Sequence, residues 1–221
     1  MEQSLNRRTF LSMLGVGSLS VLLAPGLTRA AEKPPIPGAL LLAKIRTPPF
    51  RDSVVLLFEH GQRGAQGLIV NKPGHRSLGR IMVQMNVRFQ DRATFERYVR
   101  SEVLYGGPVG RDRLLSVIHT PPGRWTPSWS LGNLGITPAP DVLRDIAAGT
   151  AEVKQVVACL GLSSWAPGQL EGEIAAGKWQ VVYPEPKSLP GLLFDTPACD
   201  RFKKARTLPE GVPISVPRQT I

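Results

Sequence analysis

Residues 53–71, SVVLLFEHGQRGAQGLIVN, decide the fold of this chain. Two runs rich in β-branched and large apolar residues, Ser53–His60 and Gly67–Asn71, flank a Gly-rich segment, Gly61–Gly67. This pattern predicts two antiparallel strands joined by a turn. Closely spaced glycines also suit a phosphate-binding loop, but this segment leads into a strand and not into a helix. We therefore expect a β-hairpin.

The segments on either side of the hairpin predict a single α/β domain. Further apolar runs predict strands, and apolar residues at helical spacing predict helices, so a mixed sheet covered by helices is expected. Trp125 and Trp129 are assigned to a loop. The predicted strands are 38–44, 114–119, 153–162 and 179–183, and the predicted helices begin near residues 77, 95, 137, 167 and 197.

The composition indicates one basic domain. The 221 residues carry 27 Lys+Arg against 17 Asp+Glu, a net charge of +10, and 42% of them are hydrophobic. That is ample material for one core. A basic surface favours anionic partners without choosing among nucleic acid, acidic polysaccharide, lipid headgroups and acidic proteins, so the partner stays open.

The first thirty residues, 1–30, are typical of a twin-arginine export signal. The pair Arg7 and Arg8 is followed by Phe10 and Leu11 and by a moderately apolar run that ends at Leu23. This run is shorter than the roughly 20 residues that span a bilayer, so no membrane anchor is expected in the mature protein. A general secretory signal is the alternative.

Small side chains predict cleavage after Ala30 or Ala31. The remaining chain then begins with a Pro-rich leader, 31–37, and keeps 24 basic and 16 acidic residues, a net charge of +8. Export by the twin-arginine route predicts a periplasmic protein that folds before export, with cytoplasmic residence as the alternative. Nucleic acid is not an expected partner in that compartment.

Four ordered motifs resemble the YqgE/AlgH family. They are SVVLLFEH at 53–60, GAQGLIVNKP at 64–73, YGGPV at 105–109 and WAPGQLE at 165–171. The run Leu193–Asp195 and the helix after it are similar to the closing element of that family. The resemblance covers residues 38–205 and leaves 206–221 as an irregular tail.

The resemblance implies a bifurcated, partly barrel-like sheet surrounded by helices and no established enzymatic activity. It also implies a loose association with the regulation of alginate production and transcription. Most relatives of this kind have no export signal.

The sequence does not assemble a catalytic centre, a metal site or a cofactor site. Ser163 has a strand before it and a helix after it, as a hydrolase nucleophile in a Gly-x-Ser-x-Gly motif does. Trp165, however, occupies the place of the second glycine of that motif, and no histidine follows Ser163 in the chain. His60 and His119 could bind a metal only if the hairpin lies beside the strand that ends at His119. No cofactor is expected. Cys159 reads as a buried thiol, with a disulfide to Cys199 as the alternative.

One candidate pocket for a ligand or partner remains, and its members are polar, glycine or tryptophan residues of the four motifs. They are His60, Asn71, Gly106, Gly107, Trp165, Gln169 and Glu171. Glu171 also suits the start of a helix, where a carboxylate stabilises the dipole. The basic run 201–206 is interpreted as a solvated helix face, with polyanion binding as the alternative.

Three functions are left open. The favoured one is a non-catalytic binding or regulatory protein of the cell envelope. The second is a hydrolase-type enzyme with a cleft near His60, Asn71, Gly107 and Glu171. The third is a transcriptional regulator, if the chain stays in the cytoplasm.

Overall fold

The structure is a computed structural model that describes residues 36–122, 125, 129–138, 140–150 and 156–209. The predicted export signal, most of the leader and most of the tail lie outside these residues. The described residues form a single domain of two sheets and surrounding helices, so the predicted α/β fold is confirmed.

The strands form one antiparallel sheet of five strands and one mixed sheet of six. Their bounds are β1 Leu40–Ala43, β2 Val54–Gly61, β3 Gly64–Ile69, β4 Pro73–Ser77, β5 Glu102–Tyr105, β6 Leu115–His119, β7 Trp129–Leu131, β8 Leu134–Pro138, β9 Val156–Leu160, β10 Ser163–Trp165 and β11 Trp179–Val182. The first sheet has the order β10-β3-β2-β1-β11, and the second β4-β5-β9-β6-β8-β7. Among the described strands, only the β5 and β9 pair is parallel.

The helices are short and lie between strands or at the C-terminal side of the domain. Their bounds are α1 Leu78–Gln84, α2 Arg92–Val99, α3 Pro140–Ala147, α4 Gln169–Ala175, α5 Ser188–Leu193 and α6 Arg201–Ala205, with a 3-10 helix at Ala198–Asp200. No helix among the described residues is both long and apolar enough to span a bilayer.

The hairpin predicted from the sequence is the centre of the first sheet. Val54, Leu56 and Phe58 face a core that includes side chains of the second sheet. Val55 and Leu57 pack on the other face, against side chains of β10, α4 and β11. Because β2 is covered on both faces, its sequence is continuously apolar instead of alternating.

The hairpin turn brings β10 against β3. Gly64 has a φ of +104°, and a Cβ atom there would overlap the carbonyl oxygen of Trp165. A glycine is therefore required for this close approach. The Gly-rich segment forms the predicted turn, with Gly61 paired to Gly64.

A bulge in β4 opens the edge of the second sheet. Pro73 pairs with Leu104 and Ser77 with Glu102, so β4 has two more residues than β5 between these pairs. The extra length moves residues 74–76 away from a regular ladder. Backbone contact with the carbonyl of Val103 leaves no room for a side chain at Gly74.

The prediction that Trp129 lies in a loop is wrong. Trp129 begins β7, which pairs with β8 across a turn at Gly132 and Asn133, where Gly132 has a φ of +60°. A glycine followed by asparagine is itself a hairpin signal. The helix predicted from Thr137 begins three residues later, at Pro140, because Thr137 pairs with Val117 in the sheet.

The single strand predicted for 153–162 is also wrong. Its described part, β9, ends at Leu160, and Gly161 turns the chain with a φ of +76°. The following residues form β10 in the other sheet. The structure adds helix α5, which contains a proline and a glycine and therefore has no helical signal in its sequence.

Candidate functional site

The first candidate region lies where α4 meets the turn end of the hairpin. His60 pairs with Ala65 across the hairpin, and Ala65 pairs in turn with Trp165. His60 Nε2 lies 2.7 Å from Glu171 Oε1. We call this region the α4 corner; it comprises His60, Trp165, Gln169, Glu171, Glu173 and Trp179.

Glu173 is the centre of the α4 corner, although no sequence motif pointed to it. Its Oε2 accepts hydrogen bonds from the indole N–H groups of Trp165, at 3.1 Å, and Trp179, at 2.8 Å. Its Oε1 accepts one from Gln169 Nε2, at 3.1 Å. Partial burial acts to raise the pKa of Glu173, but the hydrogen bonds from Trp179, Gln169 and Trp165 outweigh it and lower that pKa.

Aromatic packing fixes the two indoles. The rings of Trp165 and Trp179 meet edge to face with centroids 5.9 Å apart, and Phe50 packs on both of them. Both tryptophans are at least 96% buried. A buried indole N–H requires an acceptor, and Glu173 supplies it to both.

The α4 corner has the properties of a structural network. Glu171 accepts a hydrogen bond from its own backbone N–H, which lowers its pKa; partial burial opposes this effect, and His60 adds to it. A general acid at neutral pH needs a carboxyl with a raised pKa, and both carboxyls here have lowered ones. Ser163 is fully buried in β10, with its Oγ 3.5 Å from the carbonyl oxygen of Gly106.

Asn71 lies away from the α4 corner. It follows the end of β3, six residues beyond the partner of His60, which is about 20 Å along an extended strand. Its Oδ1 accepts from the backbone N–H of Val54 at 2.7 Å, and its Nδ2 donates to the carbonyl of Asp52 at 2.8 Å. Asn71 therefore joins the turn before β2 to the segment after β3.

Gly106 and Gly107 lie with Asn71 and not with His60. The carbonyl of Gly106 accepts from Ile69 N, and its N–H donates to Leu160 O, each at 2.8 Å. Gly107 has a φ of +151°, and a side chain there would overlap the backbone of Leu162 and Ser163. The seven predicted residues thus divide into two groups: His60, Trp165, Gln169 and Glu171, and then Asn71, Gly106 and Gly107.

The three residues of the second group do not line a cleft themselves, but their chain neighbours Lys72 and Tyr105 line one of about 640 Å³ beside the β4 bulge. Five basic residues line it, together with the phenol of Tyr105. We call it the basic cleft; its basic residues are Arg51, Lys72, His75, Arg76 and Arg111.

The positions of these cations follow from the backbone contacts around Asn71. Arg51 belongs to the turn that Asn71 holds, and Lys72 is the next residue in the chain. The carbonyl of Lys72 accepts a hydrogen bond from Tyr105 N at 2.8 Å. The glycine loop after Tyr105 leads to Arg111. The cations of the basic cleft thus come from three segments that are distant in sequence.

The charges of the basic cleft are largely unmatched. Arg111 approaches Asp112 at 3.8 Å, a weak exposed pair. Among the residues that the structure describes, Arg51, Lys72, His75 and Arg76 form no ion pair. Burial raises the pKa of Tyr105, although Arg111 acts in the opposite direction, so the phenol stays protonated and can donate a hydrogen bond.

A larger cavity of about 710 Å³ lies between the loop after α1 and the end of α3. Its lining includes Arg88 and Arg144, and Asp141 is an ion-pair partner of Arg144. The loop is tied to α3 by a hydrogen bond from Gln90 N to Ala147 O. With its arginine charge partly neutralised, this cavity is a weaker candidate for an anion than the basic cleft.

The basic run 201–206 is only partly a solvated face. Arg201 is buried and donates to the carbonyl oxygens of Thr196, Val70 and Leu193 at 2.9, 2.6 and 2.7 Å. Burial lowers its pKa. The exposed members of the run are Lys203, Lys204 and Arg206.

The histidine pair considered as a metal site is not assembled. His119 is buried in the second sheet, where its ring nitrogens contact Pro121 O and Thr137 Oγ1. Within the described residues, no group of three or more His, Cys, Asp or Glu side chains could hold a metal ion. Cys159 and Cys199 are both free, and burial raises the pKa of the Cys159 thiol to about 12.

Comparison with known proteins identifies the family. A model of the AlgH-like family, DUF179, matches residues 40–211. The chain belongs to the AlgH-like family. The resemblance predicted from the four motifs is thereby confirmed, and the matched region begins two residues after the predicted domain start.

Other AlgH-like proteins match over most of their length. A UPF0301 protein of Nitrosospira multiformis is 35% identical over 73% of this chain and 82% of its own, and one of Chromobacterium violaceum is 36% identical over 73% and 82%. The solution structure of the AlgH protein from Pseudomonas aeruginosa has a TM-score of 0.63 and 31% identity, over 77% of this chain and 87% of that one. The fold described above is therefore the AlgH-like fold.

Proposed function

We propose that this AlgH-like protein is a non-catalytic anion-binding protein of the cell envelope. The observation that carries the proposal is the basic cleft, where cations from three chain segments converge and the carboxylate of Asp112, which also lines the cleft, pairs only weakly with Arg111. Placing like charges together opposes folding slightly, and an anionic ligand would offset that cost. The net charge of +8 predicted for the exported chain favours the same class of partner.

The α4 corner supports a role without catalysis. Its carboxylates are already hydrogen-bonded to tryptophan N–H groups and to His60, and their pKa values are lowered. Such groups are held as stable anions and are poorly suited to donate protons at neutral pH. The hydrolase alternative needs His60, Asn71, Gly107 and Glu171 around one cleft, whereas Asn71 lies about 20 Å along β3 from His60.

The envelope location is supported by the sequence of residues 1–30. Fractionation of cells that express the full chain tests it, with a precursor carrying Arg7→Lys and Arg8→Lys for comparison. We expect the wild type in the periplasm and the double variant in the cytoplasm, because the export machinery reads the arginine pair. An Arg29→Lys precursor is the matched control and should be exported. Wild-type protein confined to the cytoplasm would contradict this location.

Anion binding is tested with purified residues 32–221 and heparin, a generic polyanion. Arg51→Gln with Arg76→Gln should weaken binding about tenfold or more, because it removes two charge-assisted contacts. Lys203→Gln with Lys204→Gln is the matched control, since it removes two charges from the basic run on α6. Equal weakening by both double variants would assign binding to overall charge. Reproducible turnover in a panel of hydrolase substrates would overturn the non-catalytic role.

A further inference from the structure

We propose that the basic cleft binds a phosphate ester carrying two or more negative charges, seated among Arg51, Arg76 and Arg111. This inference rests on the proposed anion binding and names the chemistry of the ligand.

The convergence of the cations favours a compact ligand. Arg51, the segment 72–76 and Arg111 come from distant parts of the sequence and line one cleft of about 640 Å³. A volume of this size is typical of small-molecule sites. One small anion with several negative charges matches three or more cations around a common space.

The donor types favour phosphate over a single carboxylate. A guanidinium presents parallel N–H groups that bind two oxygens at once, and a terminal phosphate offers three oxygens to several such groups. Tyr105 adds a neutral hydroxyl donor at the same cleft. Three guanidiniums, an ammonium and a phenol supply more donors than one carboxylate can accept from.

The remaining lining accounts for the organic part of an ester. Pro48, Pro49, Leu104 and Leu160 give the basic cleft apolar walls beside its cations. Inorganic phosphate would leave these walls in water, whereas the carbon skeleton of an ester would cover them. An extended acidic peptide is less suited, because the bulge and Pro73 disrupt the regular edge that strand addition requires.

Two sources offer this chemistry, a soluble phosphate ester and the headgroup of a lipid. Val109 and Leu114 are exposed, at 45% and 40%, on the loop that carries Arg111. Exposed apolar side chains beside arginines also occur where proteins contact membranes. The experiment therefore has a soluble arm and a vesicle arm.

In the soluble arm, phenyl phosphate and phenyl sulfate are titrated calorimetrically into residues 32–221 near neutral pH. The two compounds share a shape but differ in charge, because the sulfate carries one negative charge and the phosphate close to two. We expect phenyl phosphate to bind more tightly, and Arg111→Gln to weaken it about tenfold or more. Arg113→Gln is the matched control, since Arg113 is exposed on the same loop but does not line the basic cleft.

In the vesicle arm, phosphatidylcholine vesicles contain equal fractions of either phosphatidic acid, a phosphomonoester, or phosphatidylglycerol, a phosphodiester. Preference for phosphatidic acid that Arg111→Gln removes and Arg113→Gln retains identifies a lipid source. The same dependence in the soluble arm alone identifies a soluble ester.

Two results overturn the inference. The first is that phenyl phosphate and phenyl sulfate bind equally and that the two lipids also bind equally. The second is that Arg111→Gln and Arg113→Gln weaken binding equally. Heparin binding that still depends on Arg51 and Arg76 would then leave the proposed anion binding in place. If the wild-type protein also fails to bind heparin, both proposals are removed.

Discussion

The α4 corner and the basic cleft both contain clustered polar side chains, but they differ in how these groups are satisfied. In the α4 corner, Glu173 accepts hydrogen bonds from three side chains, and Glu171 contacts His60. In the basic cleft, Arg51 and Arg76 have no ion-pair partner among the described residues. Internally satisfied charges stabilise the fold, whereas unmatched charges of one sign are available to a ligand.

Arg201 shows that an unpaired cation alone is not a site. It forms no ion pair within the described residues, yet its guanidinium donates to three backbone carbonyls and joins α6 to the ends of α5 and β3. The criterion that separates the two regions is therefore the supply of hydrogen-bond acceptors within the fold. Arg201 has three such acceptors, whereas no comparable set of acceptors surrounds Arg51 or Arg76 within the described residues.

The largest expected effect is on the α4 corner. Glu173→Ala leaves two buried indole N–H groups without their acceptor and should lower the free energy of unfolding by about 2–4 kcal/mol, measured by urea denaturation. Glu96→Ala is the control, because that exposed carboxylate only pairs with Arg92 on the surface of α2. Similar losses in both variants would show that the α4 corner is not a stabilising network.

A smaller effect is expected on the dependence of stability on pH. The folded-state pKa values of Glu171 and Glu173 lie below their ordinary value of 4.5, so their contribution is complete above that pH and is lost as pH falls through the lowered values. Urea denaturation between neutral pH and pH values below 4.5 measures the loss. Glu173→Gln should show a shallower acid dependence than the wild type. An identical dependence would contradict the lowered pKa of Glu173.

The smallest effect is expected in the basic cleft. Arg51→Gln and Arg76→Gln should change the free energy of unfolding by less than about 0.5 kcal/mol, because neither side chain has an ion-pair partner within the described part of the chain. Thermal denaturation without ligand measures this. A loss as large as that of Glu173→Ala would mean that these arginines stabilise the fold and are not held for a ligand.

The hairpin could be predicted because the residues that determine it are neighbours in the sequence. Val54–Phe58 is continuously apolar, and the glycines after it mark the turn. The short strands β4, β5, β7 and β10 could not be predicted with the same ease, because their partners and not their own periodicity determine them. Helix α5 contains Pro190 and Gly191, and packing of its leucines overrides their low helix propensity.

The candidate pocket was predicted only in part for the same reason. The four motifs selected residues from both regions, although the predicted hairpin already places His60 beside its turn and Asn71 at the far end of its second strand. The pairing of His60 with Glu171, 111 positions apart, is a tertiary contact. The basic cleft had one local signal, the run 72–76 with its lysine, histidine and arginine. Arg51 and Arg111 join that run only through the fold.

Chemical-shift mapping tests the contrast between the two regions most directly. In ¹H–¹⁵N spectra of residues 32–221, addition of a short heparin oligosaccharide should move the backbone resonances of Lys72, His75, Arg76 and Arg111. The resonances of His60, Glu171 and Glu173 should stay in place. Shifts concentrated in the α4 corner, with the basic cleft unchanged, would contradict the account.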